Sequence, residues 1–360
     1  MNLVFIIPSL GSGGAERVLS GLANDWISRK KCTIEIIVLM DSKDFYHIDE
    51  RIKIHRLNYS AHGSLKLFNL IKLLLNLRSL IKLIKPDVCF SFIRQSNILT
   101  LLATKYLNCK VVITERDSPN AFVSKVYRYL RKKLYPSCSG IIVQTQEYKR
   151  FVLNEIGHLR QVVIPNPVRD IDTKNTSREN IIISVGRLIP VKGHKYLLEA
   201  FSKCKNKDDW KLVILGDGVL KNDLLKQAKE LNIQDKVKLL GATKNVDEWL
   251  SKSSIFAFTS TSEGFPNALA EGMSACLPCV SFDCTTGPRD LIKPNHSGYL
   301  VEVGDIDNFA LNLDILIENS NLRNCIGYNA KEMANSLNFY EISNRYFDFL
   351  TDIYYQNNDK

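Results

Sequence analysis

Leu3-Val4-Phe5-Ile6-Ile7-Pro8-Ser9-Leu10-Gly11-Ser12-Gly13-Gly14-Ala15-Glu16-Arg17 begins as a run of large apolar residues, breaks at a proline and three glycines, and enters a helical pattern over 15–29. A buried strand, a glycine turn and a helix, in that order, make the first half of a βα unit. The same order recurs along the chain. Runs at 33–40, 88–92, 111–114 and 140–144 read as strands, as do 181–186, 211–216, 237–241, 255–259 and 279–282. Longer helical patterns such as 65–85 separate them, and this alternation predicts parallel sheets covered by helices. Ile164-Pro165-Asn166-Pro167-Val168, with a polar stretch to Asn180, reads as a hinge-like linker. The expected fold class is α/β, with two doubly wound Rossmann-like domains, 1–165 and 166–339, facing across a cleft. The last helical stretch, about 340–360, is a candidate to pack back on the first domain. Ligands of open α/β sheets bind beyond the carboxyl ends of the strands, so chemistry is sought in the loops that follow them.

The composition agrees with two such domains. The 360 residues are 45% apolar and 24% charged, enough apolar surface to exclude disorder and collagen-like architecture. No apolar run reaches the roughly 18 residues of a membrane span. The first residues lack the basic and long apolar regions of a signal peptide, so the chain is expected in the cytoplasm. Nine scattered cysteines then read as free thiols. Cys276-x2-Cys279 has metal-like spacing but no second pair to complete a zinc site. Asp170-Ile171-Asp172 and Asp305-Ile306-Asp307 resemble the carboxylate pair that holds a divalent cation on a diphosphate. One lies in the linker and the other before a helix, so both read as structural.

Four loops stand out. Gly13 and Gly14 would let backbone amides approach a phosphate at a helix start, although Glu16 replaces the third glycine of a dinucleotide fingerprint. After strand 181–186, Arg187 and Lys192 supply a guanidinium and an ammonium five residues apart, suited to neutralising a departing diphosphate. Gly216 and Gly241 end two further strands and permit close approach of a base or ribose. Most informative is Ser262-Glu263-Gly264-Phe265-Pro266-Asn267-Ala268-Leu269-Ala270-Glu271-Gly272. Pro266 reads as a helix start, so free amides from Asn267 through Ala268 to Leu269 would face a phosphate. Glu271 would accept the two hydroxyls of a ribose, and Glu263 those of a bound sugar.

Together, Gly13-Gly14-Ala15-Glu16, the Gly-Arg-Leu…Lys-Gly pair at 186–193 and Glu263-x7-Glu271 look like the GT4 family of GT-B glycosyltransferases, over essentially the whole chain. Glu263–Ala275 with Asp283-Cys284-Thr285-Thr286-Gly287-Pro288-Arg289-Asp290-Leu291-Ile292 most resembles its bacterial surface-polysaccharide branch, which includes amylovoran-type galactosyltransferases and N-acetylgalactosamine transferases. The resemblance implies retaining, metal-independent transfer from a nucleotide sugar, which is a substrate rather than a cofactor. It assigns Arg187 and Lys192 to the diphosphate, Glu271 to the ribose, Glu263 to the donor sugar, and Gly13-Gly14 to the donor phosphate or the acceptor. Many members carry a histidine after the fourth strand of the first domain. Here that loop is Thr114-Glu115-Arg116-Asp117-Ser118, and Arg116 cannot act as a base near neutral pH. Glu115 and Arg116 are expected on the acceptor side, with Arg116 on a phosphate.

Charge adds the acceptor's setting. Residues 1–165 hold 25 Lys/Arg against 12 Asp/Glu, whereas the rest hold 23 against 26. On a helical wheel of 65–85, Leu67, Leu70, Leu74, Leu77, Ile81 and Ile84 form a packing arc. The opposite arc interleaves Phe68, Ile71 and Leu75 with Lys72, Arg78 and Lys82, a pattern suited to an anionic bilayer. Arg128, Arg131 and Lys132, among tyrosines, form a second such cluster. No nucleic-acid motif accompanies the charge. The expectation is transfer of a hexose or N-acetylhexosamine, UDP-linked in the donor, to a polyprenyl-diphosphate-linked glycan of O-antigen, capsule or exopolysaccharide, at the cytoplasmic face of the inner membrane. The rivals are a nucleotide-sugar epimerase of the same fold, an NAD-linked oxidoreductase and a non-catalytic membrane-surface binding protein.

Overall fold

The computed structural model describes all residues except 12, 60–65, 117, 119–122, 158–159, 174–175 and 357–360, together with the side chains of 66 and 67. The chain divides into Met1–Asn166 with Ile342–Lys360 (unit 1) and Pro167–Glu341 (unit 2).

Unit 1 holds β1 (Asn2–Ile7), β2 (Thr33–Met40), β3 (Lys53–Tyr59), β4 (Val88–Phe92), β5 (Lys110–Glu115), β6 (Gly140–Val143) and β7 (Gln161–Val163). All are parallel, in the spatial order β3-β2-β1-β4-β5-β6-β7. Helices α1 (Gly14–Ser28), α2 (Lys66–Ile84), α3 (Arg94–Thr104), α4 (Lys125–Leu134) and α5 (Gln146–Ile156) connect them. The central strands are apolar along their length because helices cover both faces, and Leu3 to Ile7 are fully buried. β3 escapes sequence reading for the opposite reason: Lys53-Ile54-His55-Arg56 is the edge strand, half in water and polar accordingly.

Unit 2 holds β8 (Ile181–Val185), β9 (Lys211–Leu215), β10 (Val237–Gly241), β11 (Ile255–Phe258), β12 (Cys279–Phe282) and β13 (Gly298–Val301), parallel in the order β10-β9-β8-β11-β12-β13. Its helices are α6 (His194–Lys203), α7 (Lys221–Glu230), α8 (Val246–Lys252), α9 (Asn267–Ser274), α10 (Pro288–Leu291), α11 (Ile306–Glu318) and α12 (Ser320–Asn335). Phe201, Leu212, Ile214, Phe282 and Phe309 belong to its core. Asp305 caps α11, accepting the Asn308 N–H at 3.0 Å, and Asp170 pairs with Lys331. The Asp-x-Asp triplets are thus used structurally. The chain's last helix, α13 (Phe339–Tyr355), is fastened to unit 1. Trp26 Nε1 donates to Ser343 Oγ (2.9 Å), and Lys110 Nζ donates to the Ile353 carbonyl (2.6 Å).

Candidate active site

In each sheet the strand order reverses once, between β1 and β4 in unit 1 and between β8 and β11 in unit 2. Such switch points open crevices at the strand ends. In unit 2, β8 leads to Gly186-Arg187-Leu188, then to a 3-10 turn (Pro190–Lys192), and to Gly193 with φ 64° at the start of α6. The loop after β11 is hydrogen-bonded to this one. Thr261 N–H donates to the Val191 carbonyl (2.9 Å) and Thr259 Oγ1 to that of Lys192 (3.3 Å). These bonds bring Lys192 Nζ to 2.6 Å from Glu263 Oε1, on a Glu263 side chain only 11% exposed. Arg187 is exposed, and its guanidinium makes no hydrogen bond or ion pair among the described residues.

The segment from Gly264 to Glu271 is held from behind. Phe265 is buried, Thr286 Oγ1 donates to the Glu263 carbonyl, and a Cβ on Gly287 would meet Pro266 Cδ at 2.3 Å. Gly272 lets α9 press on Phe256. Of the three amides expected free, the Asn267 N–H already bonds the Phe265 carbonyl (3.0 Å), because the chain turns tightly at Pro266. Those of Ala268 and Leu269 have no partner among the described residues. Glu271, fifth in α9, has Arg169 Nε at 3.6 Å, a cation the sequence reading overlooked. Gly216 is closely packed within the backbone. Its N–H donates to the Gly241 carbonyl (2.8 Å), and a Cβ there would strike the Gly186 carbonyl oxygen at 1.9 Å. At Gly241, by contrast, a Cβ would meet only open space.

Beneath this loop His194, the first residue of α6, is 3% exposed, and neither ring nitrogen has a hydrogen-bond partner among the described residues. Burial lowers its pKa to about 4. A histidine neutral in the fold but charged when unfolded stabilises fully above its ordinary value of 6.5, and that stability is lost as pH falls toward 4. We expect urea unfolding of unit 2 to lose up to about 3 kcal/mol between pH 7 and pH 4 through this group. His194→Phe should flatten that slope, and an unchanged slope would reject the assignment.

Profiles of two families match the chain: "Glycosyltransferase Family 4" over residues 12–170 and "Glycosyl transferases group 1" over 169–333. An N-acetylgalactosamine-N,N'-diacetylbacillosaminyl-diphospho-undecaprenol 4-alpha-N-acetylgalactosaminyltransferase of Campylobacter jejuni is 33% identical, covering 95% of this chain and 97% of its own. The chain belongs to glycosyltransferase family 4. A second Campylobacter jejuni transferase, named for alpha-1,4 addition of N-acetylgalactosamine to GalNAc-alpha-(1->4)-GalNAc-alpha-(1->3)-diNAcBac-PP-undecaprenol, is 29% identical over 98% of this chain and 99% of its own. Anabaena HepE, solved with UDP, shares the fold at a TM-score of 0.79 and 18% identity, covering 98% of this chain and all of that one. The fold is GT-B.

Unit 1 of this glycosyltransferase departs from several expectations. Gly13 caps α1, but the seat a phosphate would take there is filled by the transferase's own Glu16. A Cβ on Gly13 would lie 2.1 Å from Glu16 Oε2, and Glu16 Oε1 accepts from Ser9 Oγ at 3.1 Å. A carboxylate in the first turn answers the helix dipole and repels a second anion. Gly14 beside it is exposed. Glu115 is no acceptor contact: it is buried at the end of β5, its carboxylate receiving the hydroxyls of Tyr127 (3.3 Å), Tyr135 and Tyr148 (3.1 Å). Burial pushes its pKa up. Arg116 donates to Asn166 Oδ1 (2.8 Å) and the Tyr346 hydroxyl (3.0 Å), 5.2 Å over the Phe92 ring, so it fastens α13. Asp117 of this loop lies outside the described residues.

A cavity of about 610 Å³ opens instead beside Ser9, Glu16, Ile93, Arg94, Gln95 and Tyr127. Ile93 links β4 to α3 at φ 73°, a costly backbone for a β-branched residue. The sequence reading passed over this loop, though its place after β4 at the switch point was the available signal.

Proposed function

We propose that this glycosyltransferase moves an N-acetylhexosamine or hexose, with retention, from a UDP-sugar to a polyprenyl-diphosphate-linked glycan used in surface-polysaccharide or protein-glycan assembly. The observation that carries the reading is the Lys192–Glu263 pair at the switch point of unit 2. Without donor, each charge is compensated by the other. A donor diphosphate would draw the Lys192 ammonium to its oxygens, with Arg187 and the amides of Ala268 and Leu269 as further donors. Glu263 would then be released to accept sugar hydroxyls, and Glu271 to hold the ribose. The cations placed on the leaving diphosphate are thus side chains, and no resident metal or cofactor enters the reading. The acceptor hydroxyl attacks from the leaving-group face and passes its proton to a donor phosphate oxygen, so no side-chain base is required. The Campylobacter relatives support the acceptor class and the configuration: both are named for α linkages, which from α-linked UDP-hexosamines means retention.

The reading extends to the bilayer. No helix among the described residues is long and apolar enough to cross a membrane. On α2, however, Phe68, Ile71 and Leu75 are exposed, at 62%, 49% and 57%, beside exposed Lys72 and Lys82. Several expected members are withdrawn. Arg78 donates to the Ala103 and Lys105 carbonyls at 2.7 and 2.8 Å, capping α3. Arg131 is buried, 4.9 Å over the Phe151 ring. Lys132 stays exposed but faces Glu155 at 3.4 Å, while Arg128 is exposed. The packing arc is also rotated, since Leu73 is buried and Leu70 exposed. Leu67 is outside the described side chains.

A panel of nucleotide sugars tests the enzyme reading. The true donor at 100 times its Kd should stabilise the protein by about 2.7 kcal/mol, and its sugar should appear, α-linked, on a polyprenyl-diphosphate acceptor. Stabilisation by no UDP-sugar, or an inverted product, would refute the reading.

A further inference from the structure

α2 carries two parallel stripes one residue apart. Phe68, Ile71 and Leu75 form the exposed apolar one; Asn69, Lys72 and Asn76, at the same i, i+3, i+7 spacing, form the other. The polar stripe is exposed at Lys72 and Asn76 and half-buried at Asn69. With Asn58 and Tyr59 at the end of β3 it lines a cavity of about 200 Å³ whose floor is Leu57 and Leu73. Asn58 sits in the left-handed region (φ 48°), which Asn tolerates better than most residues. None of the side chains of Asn58, Tyr59, Asn69, Lys72 and Asn76 makes a hydrogen bond among the described residues, and none of the described residues lining the cavity is acidic. Four polar side chains thus stand around one ammonium at the surface, immediately beside an apolar stripe.

We propose that this cavity seats the phosphate headgroup of an anionic phospholipid while Phe68, Ile71 and Leu75 lie among the first acyl carbons. Lys72 supplies the charge. Asn69, Asn76 and Asn58 supply amide N–H donors to the phosphate and glycerol oxygens. The occupant is a membrane lipid, not a soluble phosphate, because the apolar stripe adjoins the polar one and would otherwise stay wet. The proposal rests on the membrane reading above and adds a specific seat to it.

The test uses the full chain, sedimented with large vesicles of phosphatidylcholine alone or with added phosphatidylglycerol. Asn69→Ala with Asn76→Ala removes neither charge nor apolar surface, and alanine favours the helix, so folding should survive. This pair should weaken binding to phosphatidylglycerol vesicles about tenfold and the already weaker binding to phosphatidylcholine, which carries the same phosphate without net charge, by less. Phe68→Ala with Leu75→Ala should weaken both. If the asparagine pair binds phosphatidylglycerol like the wild type while the apolar pair does not, the seat is wrong and the membrane reading stands. Failure of the wild type to bind either vesicle sinks both. Glycerol phosphate binding tightly in solution, abolished by the asparagine pair with vesicle binding intact, would overturn the lipid assignment.

Discussion

Lys192→Ala should lower kcat/KM for transfer from the nucleotide sugar by about 10²–10³-fold, measured with a radiolabelled donor and a polyprenyl-diphosphate acceptor. Two effects act in the same direction. The departing diphosphate loses an ammonium, and Glu263, 11% exposed and 2.6 Å from that nitrogen in the wild type, is left as an unpaired carboxylate beside the phosphates. An uncompensated carboxylate at low exposure destabilises the fold by roughly 1–3 kcal/mol, so a fall in Tm is expected as well. The second substitution separates the effects. Adding Glu263→Ala to Lys192→Ala should restore most of the stability but little of the transfer, because the sugar then loses its own acceptor. Transfer within a factor of about three of wild type by the single variant would remove Lys192 from the phosphate site.

The strands were legible where they are central. Ile181 to Val185 and Leu3 to Ile7 are buried on both faces, so their sequences are uninterrupted apolar runs. β3, β7 and β13 were not, because each is an edge strand, half-buried along much of its length, and lacks the unbroken apolar run of a central one. The loops of chemical interest follow from the same rule that sets them after strands. What a side chain in such a loop does depends on contacts distant in sequence. Arg116 looks like a free cation until Tyr346, 230 residues on, takes its N–H. Glu115 looks like a solvent-facing acid until three tyrosines from α4, the turn after it and α5 close over it. Glu16 was read as a missing glycine, whereas it fills the space that Gly13 leaves empty. The outward arc of α2 was legible because helical periodicity is local, but its rotation, with Leu73 inward in place of Leu70, was set by the sheet beneath.

Gly193→Ala should cost more stability than any exposed substitution and abolish measurable transfer. Gly193 has φ 64°, where an L side chain costs about 1–2 kcal/mol. Its Cβ would stand 2.0 Å from the Thr259 carbonyl oxygen, and that obstacle is backbone at the end of β11, not a movable side chain. Either the β11 end or the 190–193 turn must move, and the hydrogen bonds from Thr259 and Thr261 that hold Lys192 beside Glu263 span the same gap. Strain and displacement together predict a loss of roughly 2–4 kcal/mol and a Tm lower by about 10 °C, read by calorimetry. Gly304→Ala supplies the comparison: Gly304 has φ 92° but open space around its missing Cβ, so it reports backbone strain alone. It should cost about 1–2 kcal/mol and leave transfer unchanged. If the two alanine variants lose equal stability, and Gly193→Ala still transfers sugar, then the approach of the 190–193 turn to β11 does not hold the phosphate-binding cation, and the geometry assigned to Lys192 fails with it.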